Sequence, residues 1–542
     1  MLLTKKLSIY SFVIYSSVAV TLAATPNFNK DGLIIPKVVI LFCSALVVFP
    51  YLIVKLKANK DQRLLIIYIT LAILFIFQLI LAIVFSDAPI EQQIFGRTGR
   101  GIGFLTLFSL VVLSLTCAIF VKQLNEKKLT TGIAMSGILS AIYAIFQSFG
   151  LDFFAWDSKT NGVIGTLGNP NFVSSFASMS VLPSLIYVSN KKGRLLYQFL
   201  LLLIFSVTIY KSGSTQGYIT LFLVLGIFTL IYLWFRNKLF FSAIFVSFLL
   251  GTFLVVLGFF NNGPLSGVIY KLSVQSRGEF WQSALNTTVA NPIHGIGLDS
   301  FGDYSLMYRE KAVINEYTDS AHNYILDFSV SGGIFLALIY ILVSLLVLLS
   351  FFVLLKRSGK FDPTFAALFS IFIVFQAQSL ISPICIPILT WGMIIGGSII
   401  GLASAEIKPD YIVSKNMKTK LNLYSLSALL FGLVILFPYF NSDRLQLIAM
   451  NKGDGDLAIK VAKMYPESVV RYSTLTRALF DSGLTSPALD LARSAIEFNP
   501  NSPALWVLIL INPDAPVEER RMAKARLLLL DPLSEELKRY QI

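Results

Sequence analysis

Two histidines occur in this 542-residue chain, and both belong to one long polar stretch between apolar runs, from about residue 261 to 321. His294 lies in the middle of the stretch, among glycine and proline, and His322 lies at its end, where the next apolar run begins. Histidine has an unperturbed pKa that lets it take up and release protons near neutral pH. We therefore expect any histidine base to be one of these two residues. The setting of His294 predicts a turn and favours a structural role.

Residues 95–103 place Arg97 and Arg100 among four glycines at the start of an apolar run. Glycine lets a ligand approach the backbone closely, and two arginines can bind an anionic group through paired hydrogen bonds. The alternative is that both arginines only anchor the apolar run at a membrane interface.

Residues 165–172 carry Asn169 and Asn171 at the start of another apolar run. Unpaired amides are unfavourable at a membrane face, so these side chains need a partner or a ligand. An asparagine before a helix can instead cap its free N–H groups, and as an isolated motif we favour the cap.

Residues 276–285 have the helical spacing of an amphipathic segment lying against a membrane. Arg277 in this segment can extend to lipid headgroups. It can equally hold a phosphate by bidentate hydrogen bonds, which arginine does better than lysine. The residues alone leave both interpretations open.

Four glutamines lie inside apolar runs: Gln147, Gln216, Gln376 and Gln378. Polar groups there usually face the interior of a helix bundle and mark a functional site, and hydrogen bonding between helices is the alternative. Gln376 and Gln378 cannot share one helix face, so at most one of them should face any site.

The elements that position these side chains are predicted by composition. The chain is 55% hydrophobic and 14% charged, well below the roughly 25% charge of soluble domains. Apolar runs long enough to cross a bilayer recur along it, which predicts an all-α polytopic membrane protein of about 13 transmembrane helices. The predicted spans are 8–25, 34–54, 64–85, 101–120, 129–149, 171–189, 196–210, 216–235, 239–260, 331–355, 363–381, 385–404 and 421–438.

Basic residues fall in alternate loops between these spans: Lys5-Lys6 and residues 55–63, 122–128, 191–194, 236–238, 356–360 and 408–420. The positive-inside rule places these loops and the N-terminus in the cytoplasm, and the loop 261–321 and everything after 441 outside it. This pattern accounts for the net charge of +14 without nucleic acid. We interpret the first apolar run as an uncleaved anchor. Cys43, Cys117 and Cys385 show neither metal spacing nor a disulfide pattern.

The composition divides the chain into a transmembrane domain, 1–440, and a soluble helical domain, 441–542. In the second, Ala488, Ala492 and Ala495 fit the small-residue pattern of tetratricopeptide repeats, and prolines recur at about the 34-residue period of that repeat. We favour a short exported array that binds a protein partner. The alternative is a generic helical hairpin.

Taken together, the polar segments resemble the O-antigen ligase and polymerase superfamily of bacterial membrane glycosyltransferases. The resemblance covers roughly residues 90–405 and rests on the order and spacing of weak motifs. These are Phe95-Gly96-Arg97 with Gly103, 144–150, 165–171, 277–281, 292–297, Ala321-His322-Asn323-Tyr324 with Gly332-Gly333, and 375–379.

The resemblance implies a GT-C-like fold and a donor glycan joined through pyrophosphate to a polyprenyl lipid at the outer face of the bacterial cytoplasmic membrane. It implies inverting transfer to an acceptor hydroxyl with no metal or other cofactor. On this interpretation His322 is the base and Arg277 stabilises the pyrophosphate, with Arg97 and Arg100 as weaker candidates. Asn169, Asn171 and Asn323 would support the site.

One departure concerns the span that starts near residue 216. Many members of the superfamily carry an arginine there that is thought to meet the pyrophosphate, and this chain has Gln216. The missing charge would come from Lys211 or Arg97, or the role is absent and the chain is an inactive member.

The leading function is therefore a lipid-linked glycan ligase. A repeat-unit polymerase uses the same chemistry with another acceptor, and a protein O-oligosaccharyltransferase uses a protein acceptor, so the acceptor is a glycan, a lipid or a protein. From other classes, a multi-pass transporter or a repeat scaffold without catalysis stays open. Clustering of the ionisable groups at one face argues against transport.

Overall fold

A computed structural model of the chain describes residues 8–58, 62–121, 127–154, 156, 162–311, 317–404 and 415–542. The chain is 76% helix, with no strand among the described residues, which confirms the all-α prediction. Several basic residues used to predict the topology lie outside these ranges: Lys5, Lys6, Lys60, Lys122 and Lys408.

The helices of the first half are α1 (Ile9–Leu22), α2 (Ile35–Ala58), α3 (Arg63–Phe85), α4 (Ile90–Phe95), α5 (Phe104–Phe120), α6 (Lys127–Ser148), α7 (Pro170–Val188), α8 (Arg194–Ser212), α9 (Thr215–Arg236) and α10 (Lys238–Phe259). The polar stretch contains α11 (Ser266–Ile269), α12 (Leu272–Ala290) and α13 (Phe301–Tyr304). Three long helices follow, α14 (Tyr324–Ser358), α15 (Pro363–Ser379) and α16 (Ile386–Ala403). The chain ends with α17 (Lys415–Lys452), α18 (Gly455–Ala462), α19 (Val469–Asp481), α20 (Thr485–Phe498), α21 (Pro503–Leu510), α22 (Val517–Leu530) and α23 (Glu535–Arg539).

Ten of the described helices are long and apolar enough to cross a membrane, and three shorter helices, α1, α5 and α15, are also apolar. Together these helices overlap the thirteen predicted spans, but α14 begins before residue 331 and α17 continues without a break past the predicted domain boundary at 441 to Lys452. Their number and hydropathy indicate a multi-pass membrane protein.

The centre of the bundle is the contact between α5 and α16. Gly397 and Gly401 stand four residues apart on α16, and a Cβ atom at either would lie within 2.2 Å of a carbonyl oxygen of α5. Small residues at this spacing let two helices approach closely where no hydrophobic effect drives them together. Gly397 and Gly401 therefore allow α16 to pack directly against the backbone of α5.

One end of the bundle, which we call the loop end, carries α4, the turn at 96–103, α11 to α13 and the start of α14. The helices after α17 contact the same end. Asn499 Nδ2 donates to Asp303 Oδ2 at 3.1 Å, and Arg309 Nη2 lies 2.7 Å from Asp531 Oδ1 in a buried ion pair. The C-terminal domain is thus attached to the loops that hold the candidate site.

Within that domain, α19 packs against α20 and α21 packs against α22. Ala488, Ala492 and Ala495 are fully buried, as expected of small residues between close helices. The C-terminal domain therefore contains helical hairpins. Its assignment to the tetratricopeptide family stays a prediction.

α14 is broken near its start by Gly332 and Gly333, whose backbone angles are not helical. Gly333 has a φ of +76°, and a Cβ atom on it would lie 2.3 Å from the carbonyl oxygen of Ile293. Gly295 is the reciprocal case, with a φ of +67° and a Cβ position 2.3 Å from the carbonyl oxygen of Val330. The turn around His294 therefore docks backbone to backbone on the break in α14.

We expect Gly333→Ala to destabilise the protein more than Gly359→Ala. Both glycines have a positive φ, which costs a side chain about 1–3 kcal/mol, but Gly333 also has a ψ of 175°, a combination that essentially only glycine adopts, and the Cβ at 359 has no atom within 4 Å. The difference between the two melting temperatures in detergent therefore measures the clash at 333 together with the additional backbone strain there. Equal shifts would mean that the docking contact yields without loss.

Candidate functional site

Arg97 and Arg100 are bound by buried carboxylates at the loop end. Arg97 Nη1 donates to Asp303 Oδ1 at 2.9 Å and Nη2 donates to the Tyr317 hydroxyl at 2.6 Å. Arg100 Nε donates to Asp299 Oδ1 at 2.7 Å. Burial acts to lower the pKa of both guanidinium groups, but Asp303 and Asp299 outweigh it and hold each pKa above its ordinary value. Both arginines are thus committed to partners within the protein.

Asp299 ties the 97–102 turn to the polar stretch. Its Oδ2 accepts the backbone N–H groups of Arg97 at 2.8 Å and Ile102 at 3.0 Å, while its Oδ1 holds Arg100. The Asp299 side chain is completely buried. An ionised carboxylate that accepts this many hydrogen bonds is stable away from water.

A chain of contacts leads from Arg100 to His322. Arg100 Nη2 lies 3.8 Å from Asp327 Oδ2, and that oxygen accepts the Ser320 hydroxyl at 2.7 Å. Asp327 Oδ1 accepts the backbone N–H of Ala321 at 2.8 Å, and Ser320 Oγ accepts that of His322 at 3.0 Å. These contacts fix the backbone on which the histidine stands.

His322 has a left-handed backbone, with a φ of +55°, and its ring packs 5.4 Å from the ring of Phe280 on α12. Its Nδ1 lies 3.1 Å from the carbonyl oxygen of Ser320. A carbonyl oxygen can only accept, so this contact assigns the proton to Nδ1 and leaves the lone pair on Nε2. The hydrogen bond therefore selects the tautomer that a general base needs.

Burial lowers the pKa of His322 to about 4, and the positive charges of Arg277 and Arg100 act in the same direction. At neutral pH the imidazole is therefore uncharged and able to accept a proton. Arg277 acts on this pKa because α12 brings it close to the histidine.

A polar cavity of about 220 Å³ opens between α7, α9 and α12. Its lining contains two basic residues, Lys271 and Arg277, and none of the described residues that line it is acidic. The lining residues are Asn171, Gly213, Ser214, Thr215, Gln216, Ile219, Phe259, Ile269, Lys271, Ser273, Val274, Arg277 and Ile381. The cavity is therefore electropositive.

Arg277 differs from Arg97 and Arg100 because its Nε is buried and has no hydrogen-bond partner among the described residues. Burial lowers its pKa, although an arginine remains charged. A buried donor without a partner costs about 1–3 kcal/mol. The Arg277 side chain also lines the cavity, so an anion bound there would lie against this arginine.

Three helices start at this cavity. Asn169 caps α7 by accepting the N–H of Asn171 at 2.8 Å, and Ser214 caps α9 by accepting that of Gln216 at 3.2 Å. The Ser214 hydroxyl also donates to Asn171 Oδ1 at 2.5 Å, which joins the two starts. Lys271 occupies the cap position of α12. Helix N-termini carry partial positive charge and bind anions, so their convergence adds to the two basic side chains.

The asparagines thus act locally as caps. Asn323 Oδ1 accepts the N–H groups of Ile325 at 3.0 Å and Leu326 at 3.3 Å, and so begins α14 beside His322. Asn171 lines the cavity, whereas Asn169 and Asn323 are not among its lining residues. Their contribution to the site is to fix where the helices start.

Neither residue predicted to replace the missing charge at 216 lines the cavity. Lys211 Nζ lies over the Phe149 ring, 5.0 Å from its centroid, and Arg97 is paired with Asp303. Gln216 itself does line the cavity, and its Nε2 donates to Ser382 Oγ at 2.7 Å. Lys271, which the sequence analysis did not select, is the second basic residue of the cavity lining. The sequence signal that could have pointed to Lys271 is its position shortly before the predicted amphipathic segment 276–285.

A second cavity of about 220 Å³ adjoins the polar one, and Gln216, Ile219, Phe259 and Ile381 line both. It is almost entirely apolar and lies between α9, α10 and α15. Gln378 lines it, and neither polar atom of this buried amide has a partner among the described residues. Gln376 instead accepts a hydrogen bond from Tyr340 at 3.0 Å. The two glutamines therefore point to different surroundings, as their spacing predicts.

Comparison with known proteins agrees with the earlier resemblance over part of the chain. Residues 200–341 match the family described as O-antigen ligase. The matched segment contains Gln216, Lys271, Arg277 and His322. No curated protein matches the chain. The family match supports membership of the ligase superfamily and, in general terms, transfer of a lipid-linked glycan.

Proposed function

We propose that this chain moves a glycan from a polyprenyl-pyrophosphate carrier to an acceptor hydroxyl at the outer face of a bacterial cytoplasmic membrane. The observation that carries the proposal is the electropositive cavity lined by Arg277 and Lys271, with no acidic residue among the described residues of its lining. α12 also carries Phe280, whose ring packs 5.4 Å from that of the neutral His322, so the candidate base lies against the helix that holds Arg277 and outside the lining of the cavity. Because the reaction takes place at the outer face, the loop end and the C-terminal domain face outward and the N-terminus lies in the cytoplasm.

The two adjoining cavities match the two halves of such a donor. The polar cavity offers Arg277, Lys271 and helix N-termini to the pyrophosphate. The apolar cavity between α9, α10 and α15 offers aliphatic and aromatic side chains to the first isoprene units. Gln216 lies where the two cavities meet, so the pyrophosphate and the lipid would join at the start of α9.

The reaction follows from the roles of His322 and Arg277. His322 Nε2 takes the proton of the acceptor hydroxyl as its oxygen attacks the anomeric carbon of the donor sugar. The bond from that carbon to the pyrophosphate oxygen breaks, and its electron pair leaves with the polyprenyl pyrophosphate. Arg277 stabilises the charge that develops on the leaving group. Attack opposite the leaving group inverts the anomeric centre, and no step requires a metal.

Arg97 and Arg100 receive a different role in this proposal from the one that their sequence suggested. Their carboxylate partners leave neither guanidinium free for a pyrophosphate. They hold the turn at 96–103 against the polar stretch and, through Asp327 and Ser320, help to position His322. Lys211, which lies over Phe149, has no part in the donor site.

The acceptor decides between a ligase, a polymerase and a protein oligosaccharyltransferase, since all three use the same donor chemistry. The helices after α17 contact the loop end through Asn499 and Asp531. A protein partner bound to these helices would therefore be held near the donor. We rank the ligase first, since it is the reaction of the matched family.

Replacing Arg277 by glutamine should lower glycan transfer by about 10²–10³-fold, the usual loss when one donor to a developing anion is removed. Purified protein in detergent would be assayed with a polyprenyl-pyrophosphate-linked glycan and its acceptor. Arg277→Lys should retain intermediate activity, because lysine keeps the charge and loses the bidentate geometry.

The matched control is Arg521→Gln, which removes an exposed arginine from α22. Its activity should equal that of the unchanged protein. Full activity of Arg277→Gln, with the fold intact, would exclude Arg277 from the donor site and remove the observation on which the proposal rests.

A further inference from the structure

We propose that Lys271 is the second cation of the pyrophosphate site and that it supplies the charge which a basic residue at position 216 would supply. This inference rests on the proposed function and adds to it a binding residue for the donor. It is carried by the position of Lys271 in the polar cavity.

Lys271 stands at the cap position of α12, six residues before Arg277, and both side chains line the same cavity. Lys271 is exposed, whereas the Arg277 Nε is buried. The two cations therefore lie at different depths, one at the rim and one inside. A pyrophosphate bridges two such positions because its two phosphoryl groups each carry negative charge.

The charge balance of the donor requires a second cation. A pyrophosphate linked at both ends carries two negative charges, and it gains a third when the sugar–oxygen bond breaks. Arg277 alone would leave most of this charge unbalanced in a partly buried site, which is unfavourable. None of the described residues that line the cavity is acidic, so the charge of Lys271 is available to a ligand.

Lys271, at the start of α12, contacts the start of α9. This contact brings the positive charge of Lys271 next to position 216. Lys271 Nζ donates to Thr215 Oγ1 at 3.2 Å, directly beside Gln216. Gln216 is neutral, and its amide nitrogen is occupied by Ser382. Residues 216 and 271 both line the polar cavity, so a basic side chain at 216 would bring its charge to the cavity that Lys271 already serves.

The test measures binding of farnesyl pyrophosphate and farnesyl monophosphate to the purified full-length protein in detergent. Lys271→Met keeps the length of the side chain and removes its charge. We expect it to weaken farnesyl pyrophosphate binding about 10-fold, the effect of losing one charged hydrogen bond. Binding of the monophosphate should change less, because its single phosphoryl group does not bridge the rim and the interior of the cavity.

The double variant Lys271→Met with Gln216→Arg should recover most of the lost affinity, since a positive charge returns to the lining of the same cavity. A melting temperature close to that of the unchanged protein shows that each variant is folded. Lys463→Ala, which removes an exposed lysine from the C-terminal domain, is the charge-matched control and should bind normally.

Unchanged binding by Lys271→Met would overturn the assignment. A loss that Gln216→Arg does not recover would also overturn it, because the effect would then not be one of charge. If Arg277→Gln weakens binding and Lys271→Met does not, the second cation alone is rejected and the proposed function stands. If the unchanged protein does not bind farnesyl pyrophosphate, the proposed function fails and this inference fails with it.

Discussion

Replacing His322 by alanine should lower the rate of glycan transfer by about 10²–10⁴-fold, the range contributed by a general base. The loss should appear in kcat, and binding of farnesyl pyrophosphate should be nearly unchanged, because the imidazole meets the acceptor and not the pyrophosphate. Transfer and binding assays on the same purified protein separate the two effects. Activity equal to that of the unchanged protein would exclude His322 as the base.

The pH dependence of the unchanged protein gives a second measure of the same residue. His322 acts as a base only when neutral, and burial lowers its pKa to about 4. The value of kcat/KM should therefore stay level as the pH falls past 6.5 and decline only near 4. A bound donor brings negative charge beside the ring and raises its pKa, so kcat should decline at a higher pH than kcat/KM. A decline of kcat/KM near 6.5 would contradict the environment described for this histidine.

His294→Ala is the control for both measurements. The His294 Nδ1 meets the carbonyl oxygen of Gly295 at 2.8 Å, and its ring lies 6.3 Å from that of Phe85. Neither contact involves α12, the helix that packs on His322 through Phe280 and carries Arg277 to the polar cavity. Transfer at a nearly normal rate is expected, with the pH profile retained.

The sequence predicted the spans because each depends on a local property, and it drew attention to several candidate site residues in the same way. An apolar run long enough to cross a bilayer is visible without any knowledge of its neighbours. His322 and Arg277 were found because histidine is rare in this chain and because their segments resemble a family. Asn169 was correctly weighed as a cap, since capping depends on residues next to it in the chain.

The roles of Arg97 and Arg100 could not be predicted, because their partners lie some 200 positions away along the chain. Four acidic residues, Asp299, Asp303, Asp319 and Asp327, do surround the histidines in the sequence, and this complementary charge was the available signal. Tertiary packing decides which arginine is paired with a carboxylate and which is left for a ligand. Lys271 was not selected from the sequence for the same reason, because its contact with Thr215 on α9 depends on tertiary packing.

The paired arginines also connect the C-terminal domain to the candidate base. Asn499 donates to Asp303, which holds Arg97, and the backbone of Arg97 is bound by Asp299. Asp299 holds Arg100, and the contacts of Arg100 lead to His322. The residue on which this whole path depends is Asp299.

Asp299→Ala should therefore destabilise the protein by about 3–5 kcal/mol, the cost of breaking a buried ion pair by removing one partner. The substitution leaves the Arg100 guanidinium buried with its strongest partner gone, and it leaves the N–H groups of Arg97 and Ile102 unpaired. Thermal unfolding in detergent measures the loss. Glycan transfer should fall as well, because Arg100 no longer holds the backbone before His322 in place.

The control for this prediction is Asp490→Ala, which removes an exposed carboxylate paired with Arg493 on α20. An exposed pair contributes at most about 1 kcal/mol, so the melting temperature should hardly move. If Asp299→Ala were as stable as Asp490→Ala, the buried network would not hold the loop end together. Arg97 and Arg100 would then be free for an anion after all, and their place in the donor site would have to be restored.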